Sequence, residues 1–598
     1  MSNQQTDTIR IANCSGFYGD KLEAAKDMVT GGPIDVLTGD YLAELTLSIL
    51  YAKKQQDPSQ GYVGTFLKQV KDILEPCLQK GIKIVSNAGG LNPEGMARAI
   101  EAIAAELGLD CKVAHIDGDD LIPRLSELAK TGEAFINMDT GQPLDTVNGQ
   151  PATANAYLGG WGIKCALDQG ADVVIAPRIT DAALVIGPAA WKFNWARDDF
   201  DALAGALAAG HLIECGTQVC GGNYAFFEEV PSFHNMGYPL VELQRDGSFT
   251  LTKHPDTGGL VSVGTVTAQL LYEINDPAYK NPDVVGHFDS LHIEQAGPDR
   301  VRVSGCKGSP PPDSHKVCMN MLGGYRNDME LLLTGLDIEE KAKIFTDELF
   351  RLVGGQEKFD AVSIDMIRSD KADAVRNEQA FASLRISVKS ADAKRVGRIF
   401  SAKVIELALA SYPGFCGRNA PGGAKPFVRH WPTLISSRHI SEKIHLNGTI
   451  TDIQPASMLG LGKTGVQGSI PVIAPPPTNN TITVPFGRIF GTRSGDKGGA
   501  ANLGVWAKDA AAYSWLYHEL TAEKLKELLP DLAPFEIKRF DFPNILAVNF
   551  MIYGILGDGI AANDRLDGQA KTMGEYLRAR PIALPASLVP EKFHAHTA

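Results

Sequence analysis

The chain has 598 residues, 44% of them hydrophobic and 21% charged, a globular balance that excludes a disordered or fibrous chain. Lys and Arg number 57 against 70 Asp and Glu, a net charge of −13. Nucleic-acid binding draws on a basic face that releases counterions, so this acidic total speaks against DNA or RNA as partner. The polar start, Met1 to Arg10, has no apolar core of a secretory signal. The most apolar late stretch, Asn544 to Leu556, is broken by Asn549 and Gly554 and falls short of the about 20 residues of a membrane span. Nine cysteines without a C-x-x-C pair read as reduced thiols of a cytoplasmic protein.

In chain order, strand-like runs at Ile9–Asn13, Ile34–Leu37, Ile82–Ser86, Lys112–Ile116 and Asp172–Ala176 alternate with helical patterns. The helices are expected at Lys21–Met28, Tyr41–Lys53, Thr65–Lys80 and Pro93–Leu107. Such alternation predicts an α/β core with a doubly wound, largely parallel sheet. Gly216 to Gly305 turns to short alternating runs with Asp246–Gly247 and Gly258–Gly259 between them, which predicts a β-rich lobe. Helical periodicity returns at Ile338–Val353 and Asp392–Ser411. Pro475, Pro476 and Pro477 mark an extended linker, residues 465–484, after a core of residues 1–464. Residues 485–598 show strand, helix, hairpin and helix patterns, a small α+β domain of ferredoxin-like type.

Literal motifs mislead. Gly460-Leu461-Gly462-Lys463-Thr464-Gly465 satisfies G-x-G-x-x-G, and its Gly462-Lys463-Thr464 resembles part of a P-loop. Neither follows a strand and opens a helix, so both read as loop. The strand ends are more informative, because ligands of an open α/β sheet bind beyond them. There stand Ser15 and Gly16, Asp40, Asn87 with Gly89 and Gly90, and Arg178 with Asp181. Asp40, Asp119, Asp120 and Thr180 equally fit helix N-caps. Asp117, Asp119 and Asp120 offer carboxylates to a divalent metal, with no cofactor as the main expectation. His115, inside its strand, reads as a core histidine.

Two further segments carry charge among glycines. Gly305 to Lys316, with Pro310-Pro311-Pro312, is expected to hold Lys307, His315 and Lys316 in one loop facing an anion or lying exposed. Gly491 to Gly504 packs Arg493, Ser494, Asp496, Lys497 and Asn502 among five glycines. It reads either as an anion or acyl-thioester site, with Lys497 on charge and Asp496 as orienter or base, or as a charged hairpin loop.

These two segments, with Asn13–Gly19, Thr38-Gly39-Asp40 and Asn87-Ala88-Gly89-Gly90, resemble the acyclic terpene utilization protein A (AtuA) family over nearly the whole chain. The most specific marks are the string Arg493-Ser494-Gly495-Asp496-Lys497-Gly498 and the Val301 to Tyr325 region. The resemblance implies a core followed by a ferredoxin-fold domain, and a part in citronellol and geraniol catabolism through branched acyl-CoA esters. It implies a lyase or hydratase acting on 3-hydroxy-3-isohexenylglutaryl-CoA; the residues expected to be catalytic in it are Arg493, Asp496 and Lys497. The carboxylation step is excluded, since no Ala-Met-Lys-Met biotin site occurs. A hydroxymethylglutaryl-CoA type of lyase would carry a metal-binding His-x-His, found here only at His594-Ala595-His596. A homo-oligomer is expected. The alternatives are a noncatalytic assembly subunit and an enzyme converting free hydroxy acids.

Overall fold

A computed structural model describes residues 7–147, 149–455, 459, 472–477 and 480–596. Five parallel strands lie side by side in the order Thr8–Asn13, Val36–Gly39, Lys83–Ser86, Val173–Ile175 and Val113–Asp117. Alternate side chains feed two cores, as strand geometry requires. Ile9, Ile11, Val36, Val85 and Val174 pack on one face, and Ala12, Leu37, Ile84, Val113 and Val173 on the other. Helices cover both faces: Ala24–Gly31, Gly64–Lys80 and Pro93–Glu106 on the second, Trp161–Asp168, Ala183–Phe193 and Phe200–Ile213 on the first.

Among the described residues the whole sheet has eleven strands and is mixed, not largely parallel. Antiparallel strands extend it at both edges. Pro239–Gln244, Phe249–Lys253, Arg300–Ser304 and His292–Gly297 continue one side, so most of the expected β-rich lobe is built into the main sheet. Glu442–Leu446 and Thr449–Ile453 extend the other. A second sheet of six strands is organised by one twenty-residue strand, Ser314–Leu333, which the sequence reading did not anticipate. The expected helix at Ile338–Val353 is observed as Ile338–Leu352. Only Phe400–Glu406 of the Asp392–Ser411 pattern is α-helical.

The C-terminal unit is a four-stranded antiparallel sheet in the order Gly491–Lys497, Ala500–Trp506, Ala547–Tyr553, Glu536–Phe542. Its helices Ala510–Glu519 and Met573–Arg578 bury Tyr513, Leu516 and Leu577 on a separate apolar core with Leu503, Val505 and Phe550. The glycine–lysine motif at 460–465 and most of the linker lie outside the described residues. Within residues 472–477 of that linker, the Ala474 carbonyl accepts a hydrogen bond from Ser514 Oγ at 2.5 Å, tying the prolines to a domain helix. Among the described residues, no helix is long and apolar enough to cross a membrane.

Side-chain amides dock this domain on the core. Asn502 and Asn549, both fully buried, pair with each other on adjacent strands. Asn502 Nδ2 donates to Leu271 O at 2.9 Å, and its Oδ1 accepts from Glu273 N at 2.9 Å. Asn549 Nδ2 donates to Ile274 O and Asn275 O at 3.0 and 2.8 Å. A second anchor, Asp564, meets Arg326 at 3.0 Å and Lys389 at 2.6 Å on the six-stranded sheet.

Asn549→Ala leaves two core carbonyls without their donor. The expected loss is about 2–3 kcal/mol, the cost of stranding buried polar groups, read by urea unfolding. Hydrogen exchange should rise at residues 271–275, and unchanged exchange there would contradict the docking role.

Candidate functional site

The rim of the parallel strands is a hydrogen-bonded frame. Asp40 is buried, and its Oδ1 accepts from Asn87 Nδ2 at 2.7 Å. Asn87 Oδ1 in turn accepts from Tyr41 N at 2.9 Å. Arg178, only 3% exposed, donates to Leu42 O at 2.6 Å and to Asp181 Oδ1 at 3.0 Å. Its guanidinium stacks 4.1 Å from the Tyr157 ring centroid. Lys316 lies over the same ring at 5.1 Å and reaches Glu44 at 3.5 Å, while Tyr157 Oη donates to Glu44 Oε1 at 3.0 Å.

The Arg493 to Lys497 string comes to this rim as a β-strand, and the charged hairpin loop of its alternative reading shrinks to the turn at Gly498 and Gly499. Gly495 has no side chain where Tyr272 lies: a Cβ there would sit 2.5 Å from the ring. That close approach sets Tyr272 between Arg493, 4.3 Å from the ring centroid, and Lys571, 4.6 Å from it. Lys571 Nζ then bridges Asp496 and Glu273, each at 3.2 Å. Lys497 lies 5.9 Å from the Tyr279 ring centroid.

Charge links the two halves. Burial and the neighbouring Glu273 push the Asp496 carboxyl up to about 6, with Lys571 opposing. Burial and Lys316 pull the Lys497 ammonium below its ordinary range, against Glu273, Glu44 and Glu214. Burial, with Asp181 adding, raises the Asp40 carboxyl well above its usual range despite Arg178. His430 is pulled down to about 4 by burial and is neutral; neither ring nitrogen has a hydrogen-bond partner among the described residues. Asp181, Glu273, Lys316 and Lys571 keep 32, 33, 31 and 35% of their side chains exposed, so the cluster between the two domains stays in contact with solvent. Such a charged crevice between domains is a general location for small-molecule sites.

Not every expected residue joins it. Ser15 O accepts from Asp40 N at 3.1 Å, and Cβ atoms on Gly16 and Gly89 would meet the Cys215 and Ala176 backbones at 2.6 Å. These three positions pack the rim. Asn502 docks the domain. The single loop expected for Lys307, His315 and Lys316 does not exist. Lys307 pairs with Asp201 at the surface, buried His315 meets Tyr157 O at 2.8 Å, and only Lys316 enters the cleft. Gly90 and the Asp117–Asp120 segment line a different cavity. Glu44, Glu273, His430 and Lys571 were missed, because no motif flags them and only the tertiary fold gathers them.

Burial pushes the Glu44 carboxyl up, but Lys316 and Arg178, joined by His430 once acid protonates it, outweigh it and hold it far below the usual range. A lowered carboxyl stabilises the fold above its unfolded value and loses that contribution as pH falls. Glu44→Gln should therefore lower stability at pH 7 by about 1–3 kcal/mol and flatten the acid limb below about pH 4.5. Thermal melts from pH 3 to 7 check this, and parallel profiles for both proteins would refute it.

The family model described as acyclic terpene utilisation family protein AtuA matches residues 9–446. A second, the AtuA ferredoxin-like domain, matches residues 484–583. No curated protein matches the chain. Core and small domain are thus both accounted for, and the chain belongs to the AtuA family of acyclic terpene utilisation proteins.

Proposed function

We propose that the cleft acts on a branched 3-hydroxy-acyl-CoA of acyclic terpene breakdown, as a carbon–carbon lyase on 3-hydroxy-3-isohexenylglutaryl-CoA. The observation that carries the reading is the adjacent pair Asp496 and Lys497, shifted toward neutrality from opposite sides. Acid–base catalysis favours groups whose pKa lies near the working pH.

Asp496, ionised above about pH 6, takes the proton of the tertiary hydroxyl. The oxygen's electron pair forms the new ketone, and the bond to the carboxymethyl arm breaks. Its electrons pass to that arm as an enediolate, which Lys316 and Arg178 stabilise as fixed cations. Lys497 delivers the proton that completes acetate, leaving a 3-oxoacyl-CoA. Atoms balance without water. Tyr157, held between Arg178 and Lys316, orients the cations, and His430 lies buried and neutral behind the cluster.

The test is mass spectrometry of dialysed protein with 3-hydroxy-3-isohexenylglutaryl-CoA, with and without Mg²⁺. Acetate and the shortened CoA ester are expected, and Asp496→Asn should lower kcat about 10²- to 10⁴-fold. As pH falls through about 6, Asp496 takes up its proton and kcat/KM should drop about tenfold per unit. A water-loss product would replace the lyase by the neighbouring hydratase. Untouched substrate, with no thermal stabilisation by any CoA ester, would overturn the acyl-CoA reading in favour of an assembly subunit.

A further inference from the structure

A second cluster of ligating side chains lies on the large sheet, outside the interdomain cleft. We infer that His115, Asp117 and His445 form a site for a divalent transition metal. Val113–Asp117 and Glu442–Leu446 are antiparallel neighbours, with His115 directly opposite His445 and Asp117 opposite Lys443. Alternate residues of a strand share a face, so His115 and Asp117 project together and His445 joins them across the ladder. The two imidazoles are stacked, 4.4 Å between centroids with 5° between planes. His445 Nε2 lies 2.8 Å from Asp117 Oδ2. One donor atom from each residue falls within 4.8 Å of the others. Metal–ligand bonds of about 2.0–2.2 Å in a tetrahedral complex separate donors by about 3.4 Å. Small side-chain rotations on a fixed backbone close that gap.

The donor set selects the metal. Two imidazole nitrogens and one carboxylate suit Zn²⁺, Co²⁺ or Fe²⁺, whereas Mg²⁺ and Ca²⁺ take oxygen ligands. The sequence reading, a carboxylate set of Asp117, Asp119 and Asp120, therefore changes in both residues and metal class. Asp119 is buried, and its Oδ2 accepts from Asn155 Nδ2 at 2.7 Å and Arg178 N at 3.1 Å. Asp120 Oδ1 accepts from Ile122 N at 3.0 Å. Nor is His115 a core histidine; it is half-buried and faces a cavity of about 380 Å³ that Glu94, Asp119, Asp120 and Asn155 also line. Three protein ligands beside such a cavity leave a coordination position open for water or a small ligand. Asp119, which touches both the cavity and Arg178, separates this site from the interdomain cleft. None of its three ligands belongs to the proposed lyase machinery.

The full-length protein, stripped with chelator, is titrated with Co²⁺ by visible absorption and with Zn²⁺ by calorimetry. One equivalent per chain is expected, with d–d bands and no thiolate-to-cobalt charge transfer. His445→Ala and Asp117→Asn should each weaken binding at least about tenfold, with unchanged circular dichroism. His445→Gln, at a side chain 25% exposed, provides a milder substitution should His445→Ala unfold. The double variant His594→Ala, His596→Ala should keep the full equivalent, which separates the sheet site from the terminal His-x-His. Full affinity in His445→Ala and His445→Gln, a thiolate band, or no uptake by the unaltered protein would each overturn the assignment. Uptake without turnover would leave the metal site standing and remove only the lyase reading.

Discussion

Two amide side chains, Asn502 and Asn549, hold the domains at the distance on which the cleft depends. They sit in the middle of ferredoxin-like strands and, besides bonding each other, send their other side-chain hydrogen bonds outside that sheet, to the backbone of residues 271–275. That short segment carries Tyr272 and Glu273, the two core residues that receive Lys571. An apolar contact would dock the domain as firmly, because burial is nondirectional and scales with area. Amides add direction: each donor must find its own carbonyl, so the register between domain and core is specified residue by residue.

That register matters because the charges are individually unfavourable to bury. Asp40, Glu44, Arg178, Asp496 and Lys497 lose hydration in the cleft, and isolated burial of any one would cost several kcal/mol. The arrangement offsets this in two ways. Glu44 and Arg178 remain charged because opposite charges face them. Asp40, Asp496 and Lys497 instead move toward their neutral forms. Structural ion pairs need only the first response. Groups of the second kind are the ones acid–base chemistry draws on, which is why the proposed reaction rests on Asp496 and Lys497.

The sequence made the parallel core legible because each strand is a short apolar run bounded by small polar residues, as at Ile82–Ser86. All five runs are strands within a few residues of their expected positions. The long strand Ser314–Leu333 was illegible for the opposite reason. Asn320, Gly323, Gly324, Arg326, Asn327 and Asp328 interrupt its pattern, and remote partners satisfy its polar groups. Asn320 Nδ2 donates to Glu44 O and Thr153 Oγ1, Asn327 Nδ2 donates to Val396 O, and Arg326 meets Asp564. The Arg493–Lys497 string misled as to structure in the same way: charged residues among glycines imitate a turn, while ladder pairing from Gly491↔Trp506 to Lys497↔Ala500 makes them a strand. In the cluster, sequence reading reached the strand-end residues Asp40, Arg178 and Asp181, Lys316 of the proline segment and the neighbours Asp496 and Lys497, and missed Glu44, Glu273, His430 and Lys571, which only the tertiary fold gathers.

An open parallel sheet leaves its rim exposed, and a rim open on all sides would let water screen every charge placed there. In this chain the strands added around the parallel core change that. The long strand brings Lys316 over Tyr157, the ferredoxin-like strand brings Asp496 and Lys497, and the antiparallel edge brings His445 beside His115. The parallel strands supply a rigid frame with small residues at its ends, and the chemistry-bearing side chains arrive from elements inserted hundreds of residues later. The function proposed for this rim thus depends on how the additions close it. Changes at Asn549 or Asp564, which touch no candidate catalytic group, would act on that proposed chemistry through the register of the two domains.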